Sequence, residues 1–423
     1  MDRNAASRTD LDGNDGIDAV AIEPVEPAGP LAGLVVLELG SFIAGPFAGQ
    51  LLGDLGAEVI KVEPPGAGDP MRGYRTVDGR SLWWPGIARN KRSIAIDLRD
   101  ERGRALVRRI AARVDVVLEN FRPGLASEWG LGYADIVSGN PRVIVTHVSG
   151  YGQSGPRAAE PGFGSIGEAV GGLRHVTGDP DRPPARAGVS LGDSLAALFA
   201  VIGTLSALHE RSRSGRGQEV DVAIAEAVLA LMESSVADWE VGGQLRGRTG
   251  GILPGVAPSN AYPCADGKDI VMAANADPIF VRLCAAMEQP DLADDPRFCD
   301  FAARAAHQGE LDDLIANWTR AHDHAALLQV LQDHAVPVGL INTAADLATD
   351  AHLAARDMIL RLAAPGFDRP VPMNGVVPKL TRTPGAVRHV GQPLGAETDA
   401  VLAEFAGADL AELAALRAAG VIA

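Results

Sequence analysis

The sequence predicts an α/β fold, with a Rossmann-like large domain on a parallel sheet and a smaller α/β domain. Three observations predict it. Apolar runs of strand length alternate with amphipathic stretches of helix length from residue 31 to about residue 150, and parallel strands need such helical crossovers. A second, shorter block of the same kind opens at residue 268. Glycine is abundant, 49 of 423 residues, which suits the tight turns and close backbone approaches of this class.

The elements follow in order from their periodicity. LVVLEL (34–39) is a strand, AGPFAGQLLGDLG (44–56) a short helix stopped by glycine, and AEVIKVE (57–63) a second strand. SIAIDL (93–98) reads as strand, DERGRALVRRIAARV (100–114) as helix, and DVVLENF (115–121) and RVIVTHVSGYG (142–152) as strands. The apolar run LAALFAVIGTLSAL (195–208) predicts a long helix starting at Asp193. A basic glycine turn, SRSGRGQ (212–218), leads into the strand EVDVAI (219–224). AEAVLALMESSVADWEVGG (225–243) predicts one helix. In the second block KDIVMAA (268–274) is a strand, and 278–287, 311–320 and 324–335 are helices. Helices over 398–406 and 409–420 close the chain. The expected organisation is an acidic disordered tail (1–30), a large domain (31–224), a linker helix (225–247), a small domain (248–344) and a return segment (345–423) completing the large domain.

Bulk properties narrow the function. With 38 Lys and Arg against 54 Asp and Glu, the net charge is −16. Nucleic acid and anionic membrane are therefore not expected as main partners, whereas local arginines can still hold phosphates. Aromatics are scarce at 4%, which disfavours base-stacking platforms. The three cysteines (Cys264, Cys284, Cys299) and nine histidines lack metal-ligand spacing, so no metal site is expected and a reducing cytoplasm is. No signal peptide and no membrane-length apolar segment are expected.

The most informative stretch is Gly188-Val189-Ser190-Leu191-Gly192-Asp193-Ser194. A carboxylate beside the unpaired N–H groups of a helix start can be a cap, or it can be a nucleophile. The surrounding segment from Arg186 to Ala227 resembles the central signature of class III CoA-transferases, the family of formyl-CoA and carnitine CoA-transferases. Further motifs carry the same resemblance in order: LELGSFIAGPFAGQLLGDLGAEVIKVEPPGAGDPMR (37–72), NKRSIAIDL (90–98), ENFRPG (119–124), PRVIVTHVSGYGQSGP (141–156) and APSNAYPCADG (257–267).

The resemblance implies that Asp193 is the catalytic nucleophile. It also implies that a glycine-rich loop, GRTGGILPG (247–255) with Gly250 and Gly251, lies over it. Gly192 and Gly255 offer further backbone N–H groups for oxyanions. Coenzyme A and acyl-CoA are substrates, with no tightly bound cofactor, and two subunits interlock as a homodimer. Carried over residue by residue, CoA contacts fall on Ile43, Ala44, Ile96, Leu98, Asn120, Phe121 and Arg122. Arg72 and Arg92 join them as phosphate candidates from charge alone. Two positions depart from formyl-CoA transferase: Pro64 and Glu128 stand where it has arginine.

Other readings are weaker. Ser41-Phe42-Ile43-Ala44-Gly45-Pro46 lacks the glycine fingerprint of nicotinamide-binding strands. The α-methylacyl-CoA racemases of the same family carry a His within a Gly-His-Asp, where this chain has Gly162-Phe163-Gly164. His147 and His175 read as structural. An inactive acyl-CoA-binding homologue is a third reading, which the retained Asp193 argues against. The stretch 162–197 resembles enzymes using succinyl-CoA and small dicarboxylates more than the oxalate enzymes, and Arg174, Arg186 and Arg248 are candidates to hold a distal carboxylate.

Overall fold

The computed structural model describes residues 29–423. The expected acidic tail lies almost wholly outside these residues. They divide into two compact units: one runs to Gly171 and resumes over Val189–Leu231 and Ala351–Ala423, and the other holds Gly172–Gly188 and Met232–Asp350. Residues 172–188 thus group with the second unit, where the sequence reading put them in the large domain.

The first unit is built on six strands: β1 Val35–Glu38, β2 Glu58–Glu63, β3 Lys91–Ala95, β4 Val116–Glu119, β5 Ile144–Ser149 and β6 Glu219–Ala223. All neighbours pair in parallel, in the order β3-β2-β1-β4-β5-β6. This is the doubly wound order, and its direction reverses between β1 and β4. The strands are Val- and Ile-rich because both faces are covered. Val36, Leu37, Val59, Ile60, Val116 and Val117 are all buried.

Helices make the crossovers. Helix α1 (Ala44–Asp54) joins β1 to β2 and α2 (Glu101–Ala111) joins β3 to β4. Asp100 caps α2 by accepting from the Arg102 N–H at 2.8 Å, while Arg108 and Arg109 occupy the last turn, charges that suit the two ends of the helix dipole. Between β5 and β6 come a short helix, α3 (Gly164–Val170), and the long α4 (Leu191–Ser214); α5 (Ile224–Leu229) follows β6. Helices α6 (Thr398–Ala406) and α7 (Leu410–Ala418) bring the end of the chain back to this unit. One core joins Leu37, Ile60, Ile94, Leu106, Ile110 and Val117 to Val401 and Leu402 of α6. The other joins Val36, Val59 and Val116 to Ala196, Ala197 and Ala200 of α4.

Three expectations are corrected. Helix α4 begins at Leu191 with Ser190 as its cap position, so Asp193 is the third helical residue. The single helix over 225–243 is two, α5 and Ser235–Glu240, because Glu233 turns left-handed between them at φ +51°. At 24 residues, α4 is also long and apolar enough to cross a membrane by length and composition. Its Ala-rich face is packed on the sheet.

The second unit holds a three-stranded antiparallel sheet of Ser259–Pro263, Asp269–Ala273 and Val338–Leu340, with Asp269–Ala273 in the middle. Helices Asp277–Ala286, Gln308–Thr319 and His324–Asp333 cover it through Phe280, Leu283, Ile315, Leu327 and Leu331.

Candidate active site

In a parallel sheet every strand ends on the same edge, and the point where strand order reverses opens a crevice there. Here that point lies between the ends of β1 and β4. Asn120, just past β4, clamps the loop after β1: its Oδ1 accepts from the Ser41 N–H at 2.8 Å and its Nδ2 donates to the Ser41 carbonyl at 2.9 Å. Gly40 and Gly45 leave room for this amide, since a Cβ on Gly40 would stand 2.9 Å from its Oδ1.

Beneath the loop lies a buried charge network. Lys61 Nζ contacts Glu38 Oε1, Asp69 Oδ2 and the Gly40 carbonyl, each at 2.9 Å. Lys91 Nζ contacts Glu38 Oε2 at 2.8 Å and the Pro46 carbonyl at 2.6 Å. Asp69 also accepts from the N–H groups of Phe42, at 3.3 Å, and Met71, at 2.9 Å. All four charged side chains are at most 2% exposed. Charges this deep persist only when paired and hydrogen-bonded. Burial alone raises the Glu38 pKa, but the two ammonium groups outweigh it and hold it below the usual carboxylate range. Burial pushes Lys91 down to about 8, with Glu38 opposing the shift and Lys61 adding to it. Burial also opposes the charge of Lys61, yet Glu38, Asp69 and Glu63 outweigh it and raise its pKa. The network leaves no room for a side chain on α1 at Gly49, where a Cβ would stand 1.9 Å from Glu38 Oε2.

Most of the expected CoA residues gather at this edge. Ile43 is the cap position of α1 and Ala44 its first residue. Phe121 packs edge-on against Trp129 at 5.4 Å, and Arg122 is exposed and paired with Glu128 at 2.7 Å. Such an exposed pair contributes little to stability. Leu98 is half-buried past β3. Ile96 is a core residue bridged to Ile422. Arg72 makes a two-pronged pair with Glu63, at 2.7 and 2.8 Å, and lies 3.9 Å over the Trp84 ring. Burial raises the Glu63 pKa, but Arg72 and Lys61 outweigh it and lower it overall. The structure does not bring Arg92 to this edge: it sits near the start of β3, tied to Glu58, Glu397 and Glu404.

Asp193 belongs to the same edge. Helix α4 feeds the parallel strand β6, so it must begin where strands end. Just past β5, Gly150 abuts Gly162: a Cβ on Gly150 would stand 2.7 Å from the Gly162 Cα. Two residues later Gly164 abuts the carboxylate, and a Cβ there would stand 2.2 Å from Asp193 Oδ2. Asp193 is half-buried. Gly192, expected to offer an exposed N–H, is buried and its N–H points at Glu168 Oε1, 3.3 Å away. His147, read from the sequence as structural, is buried between two carboxylates. Its Nδ1 binds Glu119 and its Nε2 lies 3.3 Å from Glu219. Burial lowers the His147 pKa, but Glu119 and then Glu219 outweigh it and raise it.

Gly250 and Gly251 lie in the second unit, in a loop pinned to its own neighbours. The Gly250 N–H donates to the Gly178 carbonyl at 3.0 Å, with φ +68°, and Arg248 donates to the carbonyls of Asp179 and Pro180. Arg186 is exposed in the same unit. Sequence reasoning missed the buried network of Glu38, Lys61, Asp69 and Lys91 and the contacts that Gly164 and Glu168 make with the start of α4. The available signal was a lysine inside an otherwise apolar central strand, since a buried charge demands a partner.

A doubly wound sheet with a loop clamped at its reversal point, and a carboxylate on the adjoining helix start, defines an α/β protein with a candidate site at the carboxyl edge of its sheet. The chain belongs to CoA-transferase family III, whose profile matches residues 31–398. It is 54% identical to the succinyl-CoA–D-citramalate CoA-transferase of Chloroflexus aurantiacus, over 94% of this chain and 99% of that one. It is 34% identical to the succinate–glutarate CoA-transferase of Agrobacterium fabrum, over 89% and 96%. A crystal structure of a CaiB/BaiF family protein from Brucella suis shares the fold with a TM-score of 0.80 at 34% identity, covering 89% of this chain and all of that one. The protein is a CoA-transferase.

Proposed function

We propose that this enzyme moves CoA from succinyl-CoA to a small dicarboxylic acid of the citramalate type, through covalent intermediates on Asp193. The single observation that carries the substrate class is 54% identity, over nearly the full length of both chains, to an enzyme named for that pair. The contact between Asp193 and Gly164 supports the residue assignment.

The chemistry balances without an outside energy source. An Asp193 oxygen attacks the thioester carbonyl, the C–S bond breaks, and CoA leaves as thiolate. The thiolate attacks the aspartyl carbonyl of the mixed anhydride, releasing succinate and leaving an aspartyl-CoA thioester. The acceptor carboxylate then attacks that carbonyl and expels the thiolate again. Finally the thiolate takes the acceptor acyl group and returns Asp193 as a carboxylate. The family resemblance assigns the glycine-rich loop with Gly250 and Gly251 to the exclusion of water from the anhydride. In the CoA subsite, Ile43, Ala44, Asn120, Phe121 and Arg122 are assigned to the switch-point crevice, with Arg72 behind Trp84. Leu98 and Ile96 shape the neighbouring strand end, while Arg92 is bound to three carboxylates and adds no contact.

The active form is a homodimer, interlocked as the family resemblance implies. Exposed apolar side chains support it: Leu198 and Ile202 on α4, and Trp239, Val241 and Leu245 in the second unit. The three cysteines are unpaired, which supports a reducing, cytoplasmic setting. Phe163 offers no proton carrier for racemisation.

The test is a panel of carboxylic acids with succinyl-CoA, read by mass spectrometry of the CoA products. Citramalate and its near relatives should accept CoA in preference to oxalate and monocarboxylic acids. Preferred transfer to oxalate or formate would overturn the substrate class.

A further inference from the structure

Helix α3 has an unusual composition for seven residues: Gly164, Gly167 and Glu168 are all buried. The glycines are required by contact. A Cβ on Gly167 would stand 2.4 Å from Ile224 Cγ2, and one on Gly171, the residue after α3, would stand 2.7 Å from the Ala225 carbonyl. The helix is therefore pressed onto α5, with no side chain of its own at these two contacts. A Cβ on Gly192 would likewise stand 2.7 Å from the Gly164 carbonyl and 3.2 Å from Glu168 Cγ. Both sides of the α3–α4 contact thus use glycine where the backbones meet.

Glu168 stands one turn beyond Gly164, so both side positions share a face of α3. Its carboxylate is 1% exposed. An ionised group this deep is costly unless it meets donors. One of the donors it meets is the Gly192 N–H, the group directly before Asp193 in the chain. That N–H is among those a helix leaves unpaired in its first turn. A side chain from a separate helix thus caps the turn that carries the candidate nucleophile.

We propose that Glu168 is a positioning residue for Asp193: it fixes the first turn of α4 through the Gly192 N–H, while Gly164 leaves the space into which the Asp193 carboxylate fits. This rests on the reading of Asp193 as nucleophile. Its consequence is selective. Covalent catalysis is sensitive to the angle and distance of the attacking oxygen, and an error of about 1 Å costs on the order of a hundredfold. CoA binding at the ends of β1 and β4 does not depend on Glu168.

The experiment uses E168Q, E168D and E168A with succinyl-CoA. Gln keeps an acceptor oxygen at the same reach, whereas Asp keeps the charge but withdraws it by one methylene. E168Q should retain at least about a third of wild-type kcat, while E168D and E168A should fall at least about tenfold. The KM for succinyl-CoA should stay within about twofold in all three. If E168A does not fold, the order Gln above Asp still decides. Hydroxylamine trapping of the acyl-enzyme gives the second readout. The wild type should be labelled on the Asp193 peptide, and E168D more slowly. No label on Asp193 in the wild type would overturn the nucleophile reading and this proposal together. Label on Asp193 in the wild type, with E168D labelled at the same rate or E168D faster than E168Q, would overturn the role of Glu168 alone.

Discussion

Changing Asp193 to Asn replaces one carboxylate oxygen by an amide nitrogen and keeps the outline of the side chain. An amide cannot form an anhydride, so D193N should abolish CoA transfer. As the third residue of α4, Asp193 also favours the helix dipole, worth about 0.3–1 kcal/mol. The melting temperature of D193N should therefore fall by no more than about 4 °C. The two effects are measured separately, by CoA exchange and by thermal unfolding. Retention of more than about a tenth of wild-type turnover, a rate cost under ~1.4 kcal/mol, would rule out the covalent step at this residue. At this scale the sequence displayed the nucleophile candidate because its motif is local: Gly192, Asp193 and Ser194 are consecutive. The network around Glu38 was hidden because Lys61, Asp69 and Lys91 lie 23 to 53 positions beyond it in the chain, and strand pairing gathers the two lysines, with Glu38 opposite Lys61 and Val59 opposite Lys91. No periodicity in one strand announces which lysine of another it will face.

Strands and crossovers were legible wherever an element had its own period. β1, β2, α2, β4, β5 and β6 each fall within the runs expected for them. Elements with a weak apolar signal were not, as with Ser259–Pro263, whose five residues include Ser, Asn and Pro, and α3, which is three-sevenths glycine and serine. These are held by what they pack against. The neighbouring strands β4, β5 and β6 give a measurable case. Glu119, His147 and Glu219 come from these three strands, and the carboxylates raise the His147 pKa above 6.5 despite burial. A raised folded pKa means that the folded protein binds the proton more tightly. The stabilisation is fully present below pH 6.5 and is lost as pH rises through the folded value. H147Q should accordingly be less stable than the wild type by about 1–3 kcal/mol at pH 6. The gap should narrow steadily as pH rises above 6.5. Denaturant unfolding of both proteins from pH 6 to 9 measures it, and a gap that widens with pH would show that the His147 charge does not stabilise the fold.

For the whole molecule, the parallel α/β class and the second, smaller unit could be read from the alternation of periods. The order of strands could not, because it depends on which crossover passes over which face, a choice local sequence does not encode. Association is also a whole-molecule property, and periodicity is silent on it. The physical clue is on the surface. Leu198 and Ile202 point outward from α4 beside an apolar groove lined by Phe199, Val220 and Ala227. The proposed homodimer would cover this exposed apolar surface. If two copies cover these surfaces and interlock, they cannot separate without large-scale unfolding. Dilution should then leave the mass unchanged, in contrast to a dimer held by reversible mass action. Light scattering at about 1 μM should give twice the mass of the chain, and tagged and untagged dimers mixed for a day should not exchange subunits. I202E places a charge in the surface the proposed dimer would cover and should reduce the yield of assembled, active enzyme rather than release a stable active monomer, because burying an unpaired charge is costly. An active monomer, in the wild type or in I202E, would sink the interlocked arrangement and confine the reaction to a single chain.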